Sequence, residues 1–168
     1  MQILLEVVQT TRFAVLTTGA SVPETFRGVR DLDDRMDTSE RASLISELEQ
    51  AGVKHIPDQI LRIAKKLDGS IVFLEKGNSH SGLQHIVEGH GTDFTNRGIP
   101  ENQIPDAVIT AVTKGRIVGI QGVGRTVYEV TFNSQIQYIS VTVASNGYVV
   151  GANPTSDRLI RQFIRGSL

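Results

Sequence analysis

The sequence predicts an α+β fold in which helices in the earlier part of the chain pack on an antiparallel sheet of four or more strands. Two observations predict it. Segments with helical apolar spacing run from about residue 37 to 114, and a series of short β-rich runs follows from Arg116 onward. The runs are Val118–Gln121, Thr126–Phe132, Ile136–Val143 and Tyr148–Asn153. They are separated only by Gly122–Gly124, Asn133-Ser134 and Ser145-Asn146-Gly147. Gaps this short suit hairpins and are too short for parallel crossovers.

Taken in order, Met1–Thr18 places Ile3, Leu4, Val7, Val8, Ala14 and Val15 at loosely helical spacing, and Ser21–Asp37 reads as loop. Asp37-Thr38-Ser39-Glu40 supplies helix-start chemistry, with Leu44, Ile45 and Leu48 on one face and Gly52 as the stop. Between Pro57 and Gly77 a helix begun at Pro57 competes with a hairpin. Asp68-Gly69 before Ile71-Val72-Phe73-Leu74 favours two strands with a type I′ turn. Ser81–Glu88 reads as a helix ending near Gly89–Gly91, Ile104-Pro105-Asp106 opens another that stops at Gly115, and Asp157–Arg165 forms the last. Strand alternation sets Thr126, Tyr128, Val130 and Phe132 on one face. It separates Ile139, Val141 and Val143 from Tyr138, Ser140 and Thr142, which leaves one sheet face polar enough to work on.

With 39% apolar and 21% charged residues, the 168-residue chain is globular in composition. No apolar run reaches the roughly 18 residues that span a bilayer. Glu6 and Arg12 interrupt the apolar start, which lacks the basic residues and cleavage site of a signal peptide. Without cysteine there is no thiolate ligand or thiol nucleophile, a composition that fits a cytosolic protein and one that crosses compartments equally. Charge is uneven. Residues 1–53, set apart as an N-terminal helical segment that reads as an entry or delivery region, a partner surface or a plain solvated helix, carry −4, and residues 54–168 carry +3. The second part is compatible with nucleic-acid contact.

The residues able to do acid–base chemistry are His85 and His90. On a continuous helix they would stand about 140° apart, unlike the four-residue spacing of a zinc-binding pair. Glycines on both sides of His90 suggest that the helix breaks there and the second imidazole swings out. The two rings then serve as base and acid, with an ordinary imidazole pKa near 6.5. The plainer reading is a core His85 and a surface His90. Arg125, at a strand start after Gly122-Val123-Gly124, can aim its donors at a phosphate; the plainer reading is a solvated edge arginine. Tyr128, Ser140, Thr142 and Asn153 offer hydroxyls and an amide, although strand threonines commonly only favour the pleat and Asn153 precedes Pro154 as a turn residue would.

Three stretches together resemble a known class: Ile71–Asn78 with Gly82–Ile86, Gly122–Val130, and Val141–Pro154. They are similar to C-terminal toxin domains of contact-dependent growth inhibition and related polymorphic toxin systems, within the barnase/EndoU/colicin/RelE-like ribonuclease superfamily. The resemblance covers about residues 53–156, so residues 54–168 are expected to form the toxin domain. It implies a curved sheet with the active site on its open face, and metal-independent cleavage of RNA by attack of a 2′-hydroxyl on the adjacent phosphate, without a cofactor. By that analogy one of His85 and His90 takes the 2′-hydroxyl proton and the other protonates the leaving oxygen. Arg125 binds the phosphate, with Tyr128, Thr142 and Asn153 in support. It also implies a transfer RNA substrate, a cognate immunity protein, in some cases translation elongation factor Tu, and export in a larger toxin that acts in the target-cell cytoplasm. Two other readings stand beside it: a metal-dependent nuclease acting on DNA with both histidines as ligands, and a non-catalytic binding module.

Overall fold

The computed structural model describes residues 38–166. The expectations for Met1–Thr18 and Ser21–Asp37 lie outside the described residues. Helix α1 covers 38–50 and packs Leu48 on a hairpin, where it meets Ile60 and Phe73. Arg41 of α1 also donates to the Ile60 carbonyl at 2.6 Å. The expected boundary at residue 53 therefore falls between a helix and the strands that bury it.

The hairpin is β1 (Ile60–Lys65) and β2 (Ile71–Glu75), entered through a 3-10 turn at Pro57–Gln59. Its turn departs from the type I′ expectation. Only Gly69 in the loop has positive φ (81°), and its N–H bonds to the Lys66 carbonyl, so the glycine follows the turn rather than forming its centre.

Helix α2 (Gly82–Asn96) corrects the expected break at Gly89–Gly91. Ile86 and Phe94, eight residues apart on one face, are both fully buried. Their burial outweighs the roughly 1 kcal/mol that each interior glycine costs. The helix ends where glycine is required: Gly98 has φ 76°, its N–H bonds to Thr95, and the Ile99 N–H bonds to Phe94. This double bond pattern is the Schellman stop. After a 3-10 turn at Glu101–Gln103, α3 (Ile104–Lys114) begins with Pro105 in its first turn and buries seven of its eleven residues.

The four remaining strands are β3 (Arg116–Gln121), β4 (Arg125–Phe132), β5 (Gln135–Val143) and β6 (Val149–Pro154), an antiparallel meander in chain order. Asn133 and Ser134 both have positive φ, which gives the tight two-residue turn between β4 and β5. Register sets Thr126 opposite Val141 and Tyr128 opposite Ile139, so those residues share a face. That face is covered: Val130, Ile139, Val141 and Ala152 join Val72, Leu74, Ile86, Phe94, Ala107 and Val108 in one core. The helices are not all N-terminal to the sheet. Helix α4 (Asp157–Gly166) follows it and lies on the opposite face, with Ile160 buried and Phe163 over Gly119.

Candidate active site on the sheet face

Arg125, Thr142, Gly151 and Asn153 lie on the face of the sheet away from the main core. Thr142 pairs with Gly151 and Ser140 with Asn153 across β5 and β6. Arg125 immediately precedes Thr126, which pairs with Val141, so it stands level with Thr142. Two strand spacings, roughly 10 Å, separate the backbones of Arg125 and Gly151.

His85 approaches this row from α2. A methyl group placed on Gly151 would lie 3.4 Å from its Cδ2 and 3.6 Å from its Nε2, so the glycine leaves the imidazole room beside the sheet. The Nδ1 of His85 lies 3.0 Å from the Ser79 carbonyl. A carbonyl can only accept, so Nδ1 carries the proton. In the neutral ring Nε2 is then a free base directed at the row. Gly77 shapes the loop that presents Ser79: its φ is 66°, and any side chain there would collide with the Ser81 carbonyl.

Arg125 is held. Its Nη1 donates to Asn153 Oδ1 at 2.5 Å, and Asn153 Nδ2 donates to the Pro154 carbonyl at 2.9 Å, which fixes the amide with its oxygen toward the guanidinium. Among the described residues only one of the five arginine donors is spent, so a fork remains for an oxyanion. Beneath them lies a buried hydroxyl chain. Ser140 Oγ donates to Gln121 Oε1 at 2.6 Å, and because a hydroxyl has one hydrogen, Thr155 Oγ1 donates to Ser140 at 2.7 Å.

Two expected members stand elsewhere. With α2 unbroken, His90 is turned about 140° from His85 around the helix and pairs with Asp93 at 3.1 Å near the surface. Tyr128 is on the covered face, packed against the core, and its burial pushes the phenol above its ordinary pKa. The structure thus sets Arg125, Thr142 and Asn153 on one sheet face with His85 beside Gly151 at its edge, and places His90 and Tyr128 elsewhere.

No protein-family model matches the chain, and no curated protein matches its sequence. Among the described residues, no three His, Asp or Glu side chains come together as metal ligands.

Ser79, Gln121 and Thr155 were not anticipated. Ser79 acts through a backbone carbonyl, which side-chain type does not signal. Gln121 pairs with Arg125, a placement that counting back across Gly122–Gly124 would have signalled.

Farther along the same face, a cleft of about 240 Å³ lies between the sheet and α4, lined by Arg116, Val118, Glu129, Tyr138, Ile160 and Phe163 among others. Tyr138 donates to Glu129 Oε2 at 2.7 Å, and Arg116 Nη2 to Oε1 at 2.9 Å. The Tyr138 hydroxyl, and then Arg116, hold the Glu129 carboxyl below its ordinary range, and the same contact with Glu129 pushes Tyr138 up. A depressed carboxyl contributes stability above its unfolded pKa and loses it as pH falls through the folded one. A raised phenol contributes below its unfolded pKa and loses it as pH rises through the folded one. The contact should therefore stabilise the fold between about pH 5 and 9, by at most ~1 kcal/mol for so solvated a pair. Tyr138→Phe is expected to flatten both limbs of a stability–pH curve measured by urea unfolding; unchanged limbs would count against this assignment.

Proposed function

We propose that this protein is a metal-independent ribonuclease that acts as an antibacterial toxin. The observation that carries the reading is His85, with Nε2 free and directed at a sheet face where Asn153 holds Arg125. In the reaction, His85 Nε2 takes the proton of an RNA 2′-hydroxyl. The 2′-oxygen bonds to the adjacent phosphorus as the bond to the 5′-oxygen breaks. The products are a 2′,3′-cyclic phosphate and a 5′-hydroxyl whose proton comes from solvent. The spare donors of Arg125 stabilise the charge that builds on the phosphate oxygens, and Thr142, level with them, lines the same patch. One histidine, not two, does the proton transfer.

The resemblance to contact-dependent growth inhibition toxins supplies the biological part of the proposal. It comprises a transfer RNA substrate, a cognate immunity protein that blocks the site, recruitment of elongation factor Tu, and export within a larger toxin that acts in the target-cell cytoplasm in bacterial competition. Among the described residues, no helix is long and apolar enough to cross a membrane. Metal ligation by the two histidines is not favoured, since they point to different sides of α2.

Purified protein incubated with total RNA and EDTA, with and without cell extract, tests the reading. Fragments ending in 2′,3′-cyclic phosphate are expected. Intact RNA in every tube, or cleavage that EDTA abolishes, would overturn it.

A further inference from the structure

The described part of the chain has eight arginines. Five hold an acceptor within the protein: Arg41 the Ile60 carbonyl, Arg62 Asp106, Arg97 Asp157, Arg116 Glu129 and Arg125 Asn153. The other three, Arg158, Arg161 and Arg165, are all exposed, have no such partner among the described residues, and all belong to α4. At 100° per residue they fall within an arc of about 60°, a stripe along one side of the helix. Asp157, the acidic residue of α4, is already paired with Arg97 at 2.7 Å, so nothing on the helix offsets the stripe.

We propose that this stripe is a second RNA-binding surface that holds the phosphate backbone of the substrate beyond the scissile bond. The proposal rests on the ribonuclease reading. Three observations direct it to RNA backbone. First, α4 lies on the same sheet face as the catalytic row: Phe163 sits over Gly119, which pairs with Val127, two residues from Arg125. Second, guanidinium forks match phosphate oxygens, and a stripe whose helix carries a single acid, already paired with Arg97, suits a polyanion. Third, most of the apolar side of the helix is engaged. Ile160 is buried and Phe163 packs so closely that a side chain at 119 has no room, which leaves Ile164, 55% exposed, as the one large apolar side chain α4 could offer a lipid interface. The chain's overall charge of −1 gives no general attraction for RNA, so a local stripe has to supply it.

The test uses the full chain carrying His85→Ala, so that RNA survives, with fluorescent bulk tRNA as probe. Arg158→Gln, Arg161→Gln and Arg165→Gln are combined in one variant. Loss of three phosphate contacts should make the plot of log affinity against log salt shallower by about 2 to 3. From 50 to 200 mM salt the parent should therefore lose roughly 20-fold or more affinity beyond what the variant loses. The corresponding triple lysine variant, which keeps the charge, should retain most of the slope. With His85 intact, the triple glutamine variant should still cleave a dinucleotide, which is too short to reach α4. An unchanged slope in a protein that cleaves RNA would overturn this inference alone. Absence of cleavage by the chain with His85 intact, together with absence of tRNA binding by the His85→Ala parent, would overturn the ribonuclease reading with it. Binding to phosphatidylglycerol vesicles in place of tRNA would overturn the choice of RNA. Should the triple variant melt early, Arg161→Glu alone is measured, and the same slope comparison decides.

Discussion

His85→Ala is expected to lower RNA cleavage by about 10²- to 10⁴-fold, the range for removing a positioned general base. The effect should fall on turnover while binding of the inactive protein to RNA persists, because the imidazole acts on a proton rather than holding the backbone. His90→Ala is the informative partner. Its ring sits with Asp93 on another side of α2, so its loss should cost no more than a surface substitution, about two- to threefold. The two variants separate a single-histidine site from a paired one. Rates measured on a short RNA, with circular dichroism to confirm folding, make the comparison. Equal losses at both positions would show that the rings cooperate, and the proposed proton path would fail. A null result at His85 alone would remove the catalytic assignment.

Gly147→Ala is expected to lower unfolding free energy by about 3 kcal/mol or more. Gly147 has φ 90°, where an L side chain already costs about 1–3 kcal/mol. A Cβ there would also fall on the Ile71 carbonyl oxygen, a backbone atom that cannot turn aside. The strain lands on a junction. The Gly147 carbonyl accepts the Phe73 N–H at 3.0 Å, and Phe73 bridges to Tyr148, so this turn ties the β1–β2 hairpin to the four-stranded sheet. Urea unfolding should show a lower midpoint with an unchanged slope. Gly89→Ala makes the contrast. Gly89 is helical, exposed and has open space around it, so alanine should stabilise by about 0.5–1 kcal/mol. A destabilised Gly89→Ala together with a neutral Gly147→Ala would mean that the backbone reasoning is wrong at both sites.

The strands and their facing were legible because alternation has a period of two and the turns between runs were short. Alternation alone separates Tyr138, Ser140 and Thr142 from Ile139 and Val141, and the register agrees. Arg125, Thr142 and Asn153 were legible for the same reason, as polar residues placed by strand register at one end of the sheet. Tyr128 was not, because alternation says which residues share a face without saying which face helices will cover. Once Tyr128 stood opposite Ile139, it went with the core.

Sequence by itself determined an α+β chain with a meander of β-strands, a helix carrying His85, and an arginine at a strand start. Those properties follow from local periodicity and turn chemistry. Tertiary structure decided that α2 runs on through two glycines, because Phe94 is buried against partners far away in sequence. That continuation turned His90 away. It also decided that a carbonyl at Ser79 selects the free nitrogen of His85, and that Asn153 fixes Arg125. Both are contacts between elements, and their energies depend on where the chain returns rather than on what any one stretch prefers.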